Sequence, residues 1–144
     1  MTIRREPKFI TAHALQRLAK RQPRPPKVRN PGESRTRALV AERSGGWCEI
    51  CGVMRAESVH HRRKRSQGGP WSGSNCVAAC GDGVRGCHGW AELNPDAAHK
   101  KGFHLRPGEK PAETPVISGL HGRVPVLLDD EGGIAPVGGP AYGA

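Results

Sequence analysis

Aromatic side chains are scarce in this chain: three Trp, two Phe and one Tyr among 144 residues. Apolar residues of every kind reach 35%, whereas glycine (20) and proline (13) are abundant. So small a supply excludes a thick apolar core, and a domain of this size then needs another kind of cross-link. Acidic residues are the second shortage. Thirteen Asp and Glu stand against 23 Lys and Arg, a formal net charge of +10. That balance favours a polyanionic partner over a neutral one. Long apolar runs are also lacking, and none approaches the roughly 18–20 residues that span a bilayer. The basic N-terminus has no apolar segment of the secretory kind. The expectation is a cytoplasmic protein with no membrane partner. Finally, five cysteines cannot all pair, and in a reducing compartment clustered cysteines bind metals more often than they form bridges.

Residues 1–33 carry nine Lys or Arg against Glu6 and Glu33. A short helical pattern at Ile10–Leu18 ends before Pro23-Arg24-Pro25-Pro26, and the segment reads as a flexible basic arm. Its use is either solubility or phosphate contact without sequence choice. Ser34 can cap a helix running through Arg43, which Ser44-Gly45-Gly46 stops. Glu57–His61 and Asn75–Cys80 read as two strands of a hairpin with a long, basic, glycine-rich loop, and loops of that length in small domains are usually functional. His88–Leu93 can start a helix, and Asn94-Pro95-Asp96 a second one, with Asn as cap. Phe103-His104-Leu105 reads as a closing strand. The Pro/Gly-rich segment 107–144 holds a small β hairpin around Asp129–Gly133 and a frayed end from Gly138.

Cys48-Glu49-Ile50-Cys51-Gly52 has the form of a zinc knuckle, in which a tight turn points both sulfurs inward. Cys80 and Cys87 can supply the second pair despite a longer spacer. Four thiolates on one Zn²⁺ would cross-link the segments that carry them, and such binding is worth on the order of 10 kcal/mol of folding free energy. Two unrelated pairs of buried or redox cysteines are the plainer alternative. The strand–helix surroundings of a thioredoxin-like site are absent around Cys48. Cys76 could replace Cys80 or Cys87 as a ligand, but beside Val77 on a strand it reads as a small buried side chain.

The second constellation is His60-His61, Asn75 and His88. Adjacent strand residues point to opposite faces, so His60 and His61 cannot both ligate one ion from a regular strand. One can face a metal while the other faces water. Each residue alone has a plain reading: a surface histidine pair, a turn asparagine, a solvated basic face. Their shared order beside the cysteine frame is what carries weight.

In these residues the chain resembles the HNH endonuclease family, which has the ββα-metal (His-Me finger) fold. The resemblance covers roughly residues 34–105: the Cys-Glu-Ile-Cys-Gly knuckle, Val59-His60-His61, the basic loop with Gly68-Gly69, Asn75, and Cys87-His88-Gly89-Trp90. It is most similar to the zinc-braced branch found in actinobacterial phages. It implies a small α+β domain braced by structural zinc, with an arm before it and an extension after it. It implies a DNA endonuclease in which His61 is the general base and Asn75 holds the loop that aims it. His60 and His88 would hold one catalytic divalent ion, Mg²⁺ or Mn²⁺, while Cys48, Cys51, Cys80 and Cys87 hold the zinc. Arg62, Arg63 and Arg65 would clamp phosphates, for which a planar guanidinium is suited, and Arg85 is a weaker candidate. DNA is the implied partner, with a phage terminase or other packaging protein beyond it. Some members carry a further histidine one turn after the last ligand; Glu92 stands there and could ligate the ion or only a water on it. A zinc-braced nucleic-acid-binding module with no activity is the alternative.

Overall fold

The structure is a computed structural model that describes residues 31–138. The expected basic arm before residue 31, and the end of the chain after 138, lie outside the described residues. Helix α1 spans Pro31–Ser44. Strand β1 (Ser58–His61) pairs antiparallel with β2 (Cys76–Ala79), setting His60 opposite Val77 and His61 opposite Cys76. Helices α2 (Gly86–Leu93) and α3 (Pro95–Lys100) follow. A second antiparallel sheet has the order β3 (Val116–Ile117), β4 (Pro125–Leu128), β5 (Ile134–Pro136). The domain is therefore a small mixed α+β unit with few helices and, among the described residues, two small sheets. None of these helices is long and apolar enough to cross a membrane.

The first hairpin lies between helices. On β2, Val77 points into a cluster with Ala91, Ala98, Phe103, Val116, Val126 and Leu128. Its neighbours Cys76 and Ala78 point the other way, packing with Val40 of α1, Val59 and Trp71. All four residues of β2 are buried, since both of its faces are covered.

Local chemistry accounts for most boundaries and for several departures from expectation. Helix α1 begins at Pro31 rather than at a Ser34 cap, because proline's fixed φ suits a first turn. Glu33 and Arg43 then sit at the ends that complement the helix dipole. Asn94 does not cap α3 with its side chain; its amide donates back to the Trp90 carbonyl. Residues 103–105 form no strand. That segment is instead held by single bonds, from the Leu105 N–H to the Arg62 carbonyl and from His60 Nε2–H to the Phe103 carbonyl. The expected hairpin around Asp129–Gly133 is present as β4–β5, and β3 adds a third strand.

The segment after Arg106 does not stand apart as an extension. Val116, Val126 and Leu128 share the cluster with Val77. Ser118 Oγ donates to the Glu49 carbonyl, and Asp130 accepts from the backbone and hydroxyl of Ser74. A chain so short of large apolar residues recruits its C-terminal sheet to complete the core.

Arg62 joins these parts, and here the phosphate-clamp expectation is overturned. Its side chain is fully buried. The guanidinium donates to the carbonyls of Gly102 (2.7 Å), Ser74 (2.8 Å), Pro111 (2.9 Å) and Thr114 (2.6 Å). Burial lowers its pKa to about 10, which still leaves it charged at neutral pH. Five fixed N–H donors can satisfy several carbonyls at once, which a flexible ammonium cannot. Arg62→Met should therefore cost about 3 kcal/mol or more of stability, since it strands buried acceptors. Urea denaturation measures this; a loss under ~0.5 kcal/mol, typical of a surface change, would show the clamp to be idle.

Candidate functional site

The four expected cysteines converge. The Sγ atoms of Cys48, Cys51, Cys80 and Cys87 lie within 4.8 Å of one another and could hold a metal ion. In the first knuckle the Cys51 N–H donates to Cys48 Sγ at 3.5 Å. In the second, the Cys87 N–H donates to Cys80 Sγ at 3.4 Å across a longer spacer. The spacer manages this by pinching shut: Asp82 and Arg85 form a β-bridge, and Gly81 and Gly86 both adopt positive φ. A Cβ at Gly81 would lie 2.1 Å from the Arg85 carbonyl oxygen, so only glycine lets the two strands touch. Arg85 is thereby occupied with Asp82 and Glu57.

The acidities of the thiols oppose one another. Burial raises the Cys51 thiol, but backbone donors from Val53 and Met54 and its neighbouring thiols bring it down to about 7. Burial and the adjacent sulfurs push Cys87 well up. Four thiols this close cannot all ionise unless a cation replaces their protons, and an all-sulfur set suits zinc. Cys76 lies elsewhere, buried in β2 with its thiol raised by burial to about 11; it is a core residue, as expected.

The second group is His60, His88 and Glu92, whose ligand atoms also lie within 4.8 Å of one another. Strand β1 turns Ser58 and His60 toward α2, and His88 and Glu92 are one turn apart on that helix. His60 is fully buried. Its Nε2 is 2.7 Å from the Phe103 carbonyl; a carbonyl only accepts, so Nε2 carries the proton and Nδ1 presents a lone pair. That Nδ1 is buried with no hydrogen-bond partner among the described residues, and it faces Glu92 Oε1 at 3.5 Å. Two electron-pair donors facing each other call for a cation between them, either a proton or a metal ion.

His88 is prepared in a similar way. Its Nδ1 lies 2.7 Å from Ser58 Oγ, and that hydroxyl sits 2.9 Å from the Gly81 carbonyl, to which it donates. The hydroxyl must then accept from His88 Nδ1–H, leaving Nε2 free to ligate. Such outer partners set the tautomer of ligating histidines. Glu92 is the residue for which sequence reasoning withheld a ligand role. Its signal was the spacing of four from His88, and the structure adds its approach to His60. With a proton on His60 Nδ1 that contact, opposed by partial burial and joined by the Lys64 ammonium, holds its carboxyl at about 2.

His61 faces the other side of the pleat, with its ring edge-on to Trp71 at 4.3 Å. Its Nε2 is buried without a partner among the described residues. Burial, then the positive charges of Arg65 and Arg37, lowers its pKa to about 4, so at neutral pH it is an uncharged acceptor. Asn75 latches the chain beside it. Its Oδ1 accepts from Arg63 N at 2.8 Å, and its amide donates to the Arg63 and Pro70 carbonyls. These bonds tie Arg63 and Pro70 of the loop to Asn75 at the foot of β2.

A cleft of about 390 Å³ is lined by His61, His88 and Glu92 with Arg37, Lys64, Arg65 and Trp71. Of the three arginines expected to meet phosphate, only Arg65 borders it. Arg62 is inside the fold, and Arg63 Nη2 is bonded to the Glu109 carbonyl. Arg37 and Lys64 border the cleft instead. Arg37 and Arg65 lie over the Trp71 ring, at 4.9 and 5.6 Å from its centroid. No local pattern in α1 marks Arg37; only packing brings it here. A larger cleft, about 460 Å³, backs onto Cys51 and Cys87 and includes none of His60, His61, His88 or Glu92. Chemistry rather than volume therefore picks out the smaller one.

No family model, curated protein or solved structure matches this chain.

Elemental analysis of purified protein should find one tightly held zinc per chain, retained by Cys76→Ser and lost in Cys80→Ser. Stripping it with a strong chelator should abolish cooperative thermal unfolding, because the site contributes on the order of 10 kcal/mol. Unchanged melting after complete removal would show that the thiol cluster does not hold the fold.

Proposed function

We propose that the protein is a metal-dependent DNA endonuclease of the HNH type, with β1, β2 and α2 as its ββα-metal unit and zinc in the four-cysteine cluster. The observation that carries this reading is the buried, unpartnered Nδ1 of His60 facing Glu92, with His88 completing the group. Simple binding needs no such donor set. One carboxylate and two imidazoles suit a divalent transition ion such as Mn²⁺ better than Mg²⁺, which prefers oxygen donors. When bound, the ion would draw charge from the scissile phosphate and the leaving 3′ oxygen.

The chain's own residues do the rest. His61 accepts a proton from the water that attacks phosphorus. An approaching phosphate diester adds negative charge beside it, which raises its affinity for that proton from the low value of the free site. Asn75 keeps the strand end and loop from relaxing away from that position. Arg65, braced on Trp71, presents its guanidinium to the DNA backbone, beside Arg37, which lies over the same ring and is paired with Glu33; the net charge of +10 supports a polyanionic partner.

The test is conversion of supercoiled plasmid by zinc-loaded protein with added Mg²⁺ or Mn²⁺. Wild-type protein should cut, and His61→Ala should cut roughly 10²–10⁴-fold more slowly, the usual worth of a positioned base. Full activity in His61→Ala would end the mechanism. Equal DNA binding by wild type and His60→Ala, with no cutting by either under any divalent ion, would establish the binding-module alternative.

A further inference from the structure

Lys64 has a contact that does not fit a merely solvated lysine. Its Nζ lies 3.0 Å from Glu92 Oε2, while the other oxygen of that carboxylate faces His60. The ammonium thus rests on the carboxylate that completes the metal-binding group. Its side chain is 32% exposed and borders the cleft with His61 and His88.

The backbone beneath it is held. Asn75 grips both the N–H and the carbonyl of the preceding Arg63. The Lys64 carbonyl accepts from Gln67 and Gly69, each at 2.9 Å. A Cβ at Gly69 would fall 1.8 Å from the Arg63 carbonyl oxygen, so the loop closes this tightly only with glycine there. A fixed Cα with four methylenes beyond it lets the ammonium move while its root stays put. Arg37 and Arg65, the other cations of the cleft, lie over Trp71, and Arg37 is paired with Glu33 rather than Glu92.

We infer that Lys64 is a catalytic residue of the proposed cleavage. Its ammonium occupies Glu92 until a divalent ion takes that carboxylate, and then contacts a non-bridging oxygen of the scissile phosphate. The inference rests on the nuclease reading and names a residue outside the three arginines first expected to meet phosphate. An ammonium and a divalent ion on one carboxylate repel each other, so metal binding displaces Lys64 toward the nearest anion. In the complex that anion is the phosphate, whose negative charge the reaction increases. The ammonium therefore has a stronger partner in the transition state than before it.

The experiment measures two quantities on zinc-loaded protein, Mn²⁺ affinity by calorimetry and plasmid cleavage at saturating Mn²⁺. In Lys64→Met, loss of the competing ion pair should tighten Mn²⁺ binding about two- to fivefold, as for a partly exposed pair. Cleavage should nevertheless fall by roughly 10²-fold, as for loss of one transition-state contact. Lys64→Arg should keep most of the cleavage. Tighter Mn²⁺ binding with undiminished cleavage would make Lys64 a counter-ion only and overturn the inference. Unchanged or weaker Mn²⁺ binding would overturn it as well. Wild-type protein that binds Mn²⁺ but never cuts would instead remove the nuclease reading itself, and this inference with it.

Discussion

The site depends on the pleat of one short strand. Successive residues of β1 turn to opposite sides, so Ser58 and His60 meet α2 while Val59 and His61 meet the side of α1 and Trp71. This separates a histidine with a free, buried lone pair from one against an aromatic wall. A register slip of one residue would exchange the two faces and dismantle both arrangements. The pairing of His60 with Val77 and His61 with Cys76 resists that slip, because Val77 belongs to one apolar cluster and Cys76 to the other.

The basic run after β1 is not a uniform positive surface. Arg62 is spent inside the fold on four carbonyls, and Arg63 is tied to Glu109. Lys64 and Arg65 reach the cleft. A further arginine, Arg43, is buried in a two-point pair with Glu49, at 2.7 and 2.9 Å. Burial raises the Glu49 carboxyl, but bonds from His121 and Arg43 outweigh it and hold the group below its usual range. These buried guanidinium groups tie α1, the first knuckle, the hairpin loop and the C-terminal segment together. They perform work that large apolar side chains perform in richer sequences.

The same shortage explains the cysteines. Much of the apolar interior is small, with Ala78, Ala79, Ala91 and Ala98 all buried. Packing of that kind supplies modest stabilisation per residue. A thiol cluster that joins the Cys48–Cys51 knuckle to the start of α2 therefore matters more than it would in a larger domain. Its last member, Cys87, stands in the first turn of α2 beside His88, so adjacent positions belong to the two groups that could hold metal.

What could be read from the chain alone was whatever depends on short spacing and composition: the Cys-x-x-Cys-Gly knuckle, the hairpin strands, the opposed faces of His60 and His61, and the sign of the net charge. These follow from backbone periodicity and residue chemistry, which act over a few residues. Tertiary structure alone decided which arginines are inside and which are out, that Arg37 of α1 joins the cleft, that residues 103–105 form no strand, and that the C-terminal sheet completes the core. It also brought Glu92 to His60 and Lys64 to Glu92. Burial and long-range approach are properties of the packed whole, and neighbouring arginines in a sequence carry no mark of which will find a cage of carbonyls and which will meet solvent.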